Sequence, residues 1–173
     1  MLKDCNFIGS ITLSDGLTEI GEKAFYKCHN LKNIVIPETV AKIGTSAFRY
    51  SGLKSIILPH GLTEIGKGVF GSCRNLETVV IPETVTKIGP CAFAYSGLKS
   101  IILPNELTEI GNGSFYGCGN LETVDIPETV TKIGPHAFAD SGLKSITLSD
   151  GRLTEIGEDA FRDRHNLVVK YRN

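Results

Sequence analysis

Ile81–Pro90 reads IPETVTKIGP, and the same ten residues return, letter for letter, at Ile126–Pro135. A duplicated decapeptide is either two copies of a functional loop or one structural unit laid down repeatedly because the fold demands it. The phenylalanines decide between these. Phe25, Phe48, Phe70, Phe93, Phe115, Phe138 and Phe161 follow one another at intervals of 22 or 23 residues, so the repeat runs through the whole chain.

Each unit reads Leu-x-x-Ile-x-Ile-Pro, then Val-x-x-Ile-Gly, then Ala-Phe, as at Leu31, Ile34, Ile36, Pro37, Val40, Ile43, Gly44, Ala47 and Phe48. Two unit types alternate. One turns through Cys28-His29-Asn30-Leu31, the other through the shorter Ser51-Gly52-Leu53, so the full unit is two coils long. Arg152 lengthens the last interval. A unit this short cannot bury its own apolar side chains and must stack on copies of itself, which is the logic of a solenoid. About eight coils are expected, in one domain over residues 1–173: a partial first repeat (1–13), tandem repeats (14–158) and a carboxyl-terminal cap (159–173). In the cap, Arg162-Asp163-Arg164 replaces the cysteine turn and Lys170 stands where a core Ile is expected.

Within Leu31–Ile36 the alternation predicts a strand with Ile34 and Ile36 inward and Val35 outward. Stacked coils then form a parallel sheet, and the Ala-Phe segments close the coil on the other wall. Pro90 and Pro135, just ahead of Cys91-Ala92-Phe93 and His136-Ala137-Phe138, predict a short α-helical or 3₁₀ segment there. Asn30, Gly52, Asn75, Gly97, Asn120, Gly142 and Asn166 precede the strand-opening Leu and predict a corner with positive φ. Gly21, Gly44, Gly66, Gly89, Gly111, Gly134 and Gly157 mark a second corner. Glu19, Lys42, Glu64, Lys87, Glu109, Lys132 and Glu155 alternate in sign, as expected of an exposed ion-pair ladder that fixes register; a charged binding stripe is the alternative.

The pattern from Leu76 to Leu98, with Ser96 at the cysteine position, closely resembles the BspA-like class of leucine-rich repeats. That resemblance implies a curved solenoid with its parallel sheet on the concave face. It also implies non-enzymatic protein binding, typically adhesion to host, matrix or cell-surface proteins, by surface or secreted proteins.

Basic and acidic residues nearly balance, at 18 and 19, which leaves no field to concentrate nucleic acid. No apolar run approaches the ~18 residues of a membrane span and no signal segment is evident, so the chain reads by itself as cytosolic or as part of something longer. Cys28, Cys73 and Cys118 share a column but fall in every second coil, too far apart for a disulfide. Only Cys5 and Cys28 lie in adjacent coils, where a bridge could form; the expectation is five free thiols. No cysteine or histidine spacing suits a metal, no cofactor motif is present, and His29, His60, His136 and His165 belong to different columns or distant coils, without an orienting acid and an oxyanion site.

The functional signal lies in the outward column Thr12, Val35, Ile57, Val80, Ile102, Asp125, Thr147. Four adjacent aliphatic residues make an apolar stripe about 15 Å long on the open face of the sheet. Asn33, Ser55, Thr78 and Ser100 run beside it as a polar row. A protein-binding surface has this composition, though β-branched residues also favour strands wherever they face. A spacer without a binding site is the competing reading. The first strand, near Ile11–Leu13, has no coil in front of it, an open edge that invites end-to-end pairing.

Overall fold

The computed structural model describes residues 5, 7–149, 153–162 and 167–172. The chain winds as a parallel β-solenoid of about seven turns. Its strands are β1 (Ser10–Thr12), β2 (Glu19–Ile20), β3 (Asn33–Val35), β4 (Lys42–Ile43), β5 (Ser55–Ile57), β6 (Glu64–Ile65) and β7 (Thr78–Val80) in the first half. The second half adds β8 (Lys87–Ile88), β9 (Glu109–Ile110), β10 (Thr123–Asp125), β11 (Lys132–Ile133), β12 (Ser145–Ser149), β13 (Glu155–Ile156) and β14 (Val168–Arg172).

These strands build two walls. The three-residue strands and their extensions pair as β1-β3, β5-β7 and β10-β12-β14, and the two-residue strands as β2-β4 and β6-β8-β9-β11-β13, all in parallel. The second ladder, formed by the Lys/Glu-Ile pairs, is an addition to the architecture read from sequence. Ile56 is paired with Val79 and Ile57 with Val80, so equivalent residues of successive coils stand side by side. Ile34, Ile56, Val79, Ile101, Val124 and Ile146 fill one buried column, while their neighbours Val35, Ile57, Val80 and Ile102 face solvent.

The third wall carries the phenylalanines and contradicts the expectation of short helical segments. Among the described residues it is a ladder of turns, with no α-helix or 3₁₀ helix. Every second amide leaves its own coil: Cys91, Phe93 and Tyr95 donate to the carbonyls of Asn112, Ser114 and Tyr116. The amides between them close tight turns, Ala92 to Gly89, Ala94 to Cys91 and Ser96 to Phe93. A helix would send all six inward to its own chain. The reversal is achieved by positive φ two residues before each Phe and, among the described residues, two residues after it, as at Cys91 and Tyr95, so Pro90 precedes a turn instead of opening a helix. Behind this wall the seven Phe rings stack nearly parallel, with centroids 5.1 to 5.7 Å apart.

Positive φ therefore sits in these two columns and not at the Asn/Gly corner, where none of the described residues adopts it. Glycine at Gly52, Gly97 and Gly142 answers to crowding: a Cβ there would overlap the carbonyl oxygen of His29, Arg74 or Gly119 in the preceding coil. Coils with Asn in this column have the longer cysteine turn instead. At Gly44, Gly111 and Gly134 a side chain would likewise meet backbone of the coil before.

The decapeptide is explained residue by residue by what it does between coils. The Thr84 hydroxyl shares its proton between the carbonyls of His60 and Leu62, at 2.8 and 2.7 Å, and Thr39 and Thr129 repeat the contact. Glu83 accepts the Asn105 amide of the following coil at 2.7 Å, as Glu38 accepts that of His60 at 2.8 Å. Val85 and Ile88 are core, and Lys87 pairs with Glu109 at 2.8 Å. Each lysine of the alternating column selects one of its glutamates: Lys42 bonds Glu19 and Lys132 bonds Glu155. A second such column, Lys99–Glu77 and Lys144–Glu122, was not singled out from sequence.

Two expectations at the chain's ends are corrected. Cys5 and Cys28 form a disulfide, so three thiols are free, not five. At the other end Lys170 does not take a core position. It stands beside Thr147 in the outward column, with Val169 beside Ile146, because shifting the strand by one residue keeps the ammonium in water. Arg152, Asp163, Arg164, His165 and Asn166 lie outside the described residues, and with them most of the expected cap turn.

The register makes a sharp comparison possible. Ile56 is 3% exposed and Ile57 67%. Ile56→Asp is expected to lower stability by several kcal/mol, through an unpartnered buried carboxylate, while Ile57→Asp shifts the melting temperature little. Thermal unfolding followed by circular dichroism measures both, and equal losses would contradict the register.

Candidate functional site

The residues singled out as a binding surface come together as expected of their columns. Val35, Ile57, Val80 and Ile102 are 56 to 84% exposed and adjacent across coils, and Asp125 continues the column, also exposed. Asn33, Ser55, Thr78 and Ser100 are exposed alongside them. A shallow depression of about 370 Å³ lies at Val35, Ile57, Asn33 and Ser55, and another of about 180 Å³ at Ile102, Asp125 and Ser100. The wall thus has apolar ground between two hollows, one bordered by the Glu38 carboxylate and the other by that of Asp125.

A different site was missed from sequence. On the turn wall, a cavity of about 340 Å³ crosses the middle coils. Its floor exists because side chains are small there: Gly68 and Gly113 hold positions that carry Ser46, Cys91 and His136 in other coils, and Gly71 and Ala94 hold those of Arg49 and Tyr116. Tyr95 and Tyr116 meet edge to face at 5.2 Å above it. The Tyr116 phenol is pushed up to about 12 by hydrogen bonds with Asp140 and Tyr95. Scanning the variable columns of the turn wall for runs of Gly and Ala would have been the signal. Cys91 and His136 both line this cavity, with the Gly113 coil between them. Among the described residues no group of three or more His, Cys, Asp or Glu could hold a metal ion, and no helix is long and apolar enough to cross a membrane.

The free cysteines differ sharply in environment. Cys73 and Cys118 are buried, donate to the Phe48 and Phe93 carbonyls at 3.0 and 3.1 Å, and sit 3.4 Å from Ser51 and Ser96, the serine-type turns of the preceding coil. Burial pushes both thiols up to about 11. Cys91 is exposed.

A model of the BspA type leucine rich repeat region matches the chain in six copies, over residues 1–118 and 86–169. The chain belongs to this family. No curated protein sequence matches it. Among solved structures, a leucine-rich repeat protein of Bacteroides ovatus is similar at 26% identity with a TM-score of 0.70, covering 98% of this chain and 56% of that one. A leucine rich cell surface protein of Faecalibacterium prausnitzii is similar at 23% identity with a TM-score of 0.67, covering 99% and 62%. The pneumococcal vaccine antigen PcpA shares the fold at 21% identity and a TM-score of 0.58, covering 96% and 57%. This BspA-type chain therefore spans somewhat under two thirds of the length of these relatives.

Thiol counting tests the cysteine assignments. The unfolded, unreduced protein should show three free thiols and the reduced protein five, and in the native state only Cys91 should react quickly near pH 8. Because the folded pKa of Cys73 and Cys118 lies above the ordinary value near 9, their contribution to stability is full below pH 9 and is lost as pH rises towards 11. Reduction of the Cys5–Cys28 bridge should cost about 3 kcal/mol, from its loop of some 20 residues. Five thiols before reduction would overturn the bridge.

Proposed function

We propose that this chain is a non-enzymatic protein-binding module of a surface or secreted protein, engaging a protein ligand through the face of the three-residue strands. The family and fold support an interaction scaffold at the coarser level. What carries the finer reading is the unbroken column Val35, Ile57, Val80, Ile102, four large aliphatic side chains in adjacent coils, each more than half exposed. Scattered apolar residues on a surface need no partner, but a contiguous stripe with a hydroxyl and amide border has the composition of an interface centre and rim. Protein binding without chemistry also suits the fixed geometry of a stacked sheet. In the same reading, the face is the concave one of the family's curved solenoids, and the ligand is a host, matrix or cell-surface protein.

The competing reading is a spacer, favoured by the near identity of the units and by a surface whose ion pairs mostly run between coils. The two separate on one measurement. The immobilised chain should retain a protein ligand that the Ile57→Asp/Ile102→Asp double variant loses by tenfold or more in affinity, at an unchanged melting temperature. Retention unchanged in the variant would move the site off this face, and absence of any retained ligand would leave the spacer reading.

A further inference from the structure

The turn wall carries a second site that is independent of the strand face. Three buried polar side-chain atoms have no hydrogen-bond partner among the described residues, and two of them, Arg49 Nε and His136 Nδ1, belong to residues that line the same 340 Å³ cavity. The Arg49 Nε–H is an obligate donor, and a donor left dry without an acceptor costs on the order of 1–3 kcal/mol. Lys67 and Arg162 complete the charged lining, which contains no Asp or Glu. Arg162 is already answered by Asp140 and Asp159, at 3.5 and 3.8 Å, so the uncompensated positive charge lies towards Arg49 and Lys67, neither of which has a carboxylate partner among the described residues. The remainder of the lining is mostly apolar, with the Tyr95 ring half exposed beside the Ala94 and Gly113 floor.

We infer that this cavity is a binding site for a small organic carboxylate with a flat apolar body. The carboxylate meets the Arg49 and Lys67 end, where it supplies the missing counter-charge, and the flat body lies over the Gly/Ala floor against Tyr95. The volume is that of a small-molecule site, apolar with a few convergent polar groups. A guanidinium suits a carboxylate because its planar donors match the two oxygens. The near-perfect repeat supports this placement. Conserving the turn-wall side chains of neighbouring coils would have filled the hollow, whereas the chain changes them to Gly, Gly and Ala at Gly68, Gly71 and Ala94 and keeps the Phe column behind them constant.

Cys91 supplies the readout, as the one exposed free thiol and a lining residue. Benzoate is the probe, with benzamide, its neutral counterpart of the same shape, as the control. Benzoate in the millimolar range should slow alkylation of Cys91 in the native protein with a saturable concentration dependence, and benzamide should need at least tenfold more. Arg49→Gln should remove the difference between the two compounds. Ala94→Tyr should abolish protection by filling the cavity, with an unchanged melting temperature, because its equivalents Tyr26 and Tyr116 show that the column accepts the ring. Direct titration by heteronuclear NMR repeats the comparison without relying on the thiol. Equal protection by benzoate and benzamide, protection surviving in Ala94→Tyr, or no saturable shift with benzoate in either measurement would each overturn the site, and none of these outcomes bears on the strand face.

Discussion

The structure rests on one constraint: the backbone of a coil cannot satisfy itself. On both strand walls and on the turn wall, amide donors of one coil find their carbonyls in a neighbouring coil, the turn wall in the following one, as Phe48 does at Val69 and Phe70 at Ala92, and the Glu/Lys ladder in the preceding one, as Gly89 does at Ile65. A single coil would leave those groups to water and expose its Phe, so it has no stable existence alone. Everything else follows from fitting neighbours at a fixed separation. The rings stack because their backbones are already hydrogen-bonded in register, the glycines are needed where one backbone presses on another, and the ion pairs reach across the same gap. Long-range contacts therefore arise from residues 22 or 23 apart in sequence, a short closure by the standards of a sheet.

Columns were legible in the sequence because stacking turns chemistry into period. Once the Phe interval is found, inward Ile56 and outward Ile57 follow from strand alternation alone, and the Glu/Lys column declares its pairing by sign. What the period does not reveal is the conformation within a coil. Cys91-Ala92-Phe93 after a proline has the letters of a helix start, yet its amides are claimed by the next coil, and a local pattern has no means of registering a partner 22 residues away. The Asn/Gly corner misled for a related reason: glycine permits positive φ and also permits close approach, and only the neighbouring His29 carbonyl shows that the second is needed at Gly52.

The ends escaped for other reasons. The Cys5–Cys28 bridge joins the only adjacent cysteine coils, so the pairing was visible but not its formation. Lys170 was misplaced because counting forward from Leu167 assumes that the register persists through the last turn, while desolvation of an ammonium favours a shift of one residue. The cavity on the turn wall was overlooked because attention to repeats favours what recurs. A hollow is made by what fails to recur, and its lining is scattered over six coils that the consensus treats as noise.

The sign alternation in the Glu/Lys column has a bearing on how such a chain grows. Glu64, Lys87, Glu109 and Lys132 form a pattern with a period of two coils, as do the cysteine and serine turns at Cys73, Ser96, Cys118 and Ser141. Unequal recombination between the identical decapeptides adds or deletes 45 residues, the offset between Ile81 and Ile126, and so preserves both alternations at the new junction. Gain of a single coil would set two like charges side by side and two turns of the same type in contact. The same arithmetic governs copies meeting end to end, since a continuous stack would place Glu155 against Glu19. Length in this architecture is thus quantised by electrostatics: the protein can become longer or shorter by pairs of coils while every junction stays chemically the same.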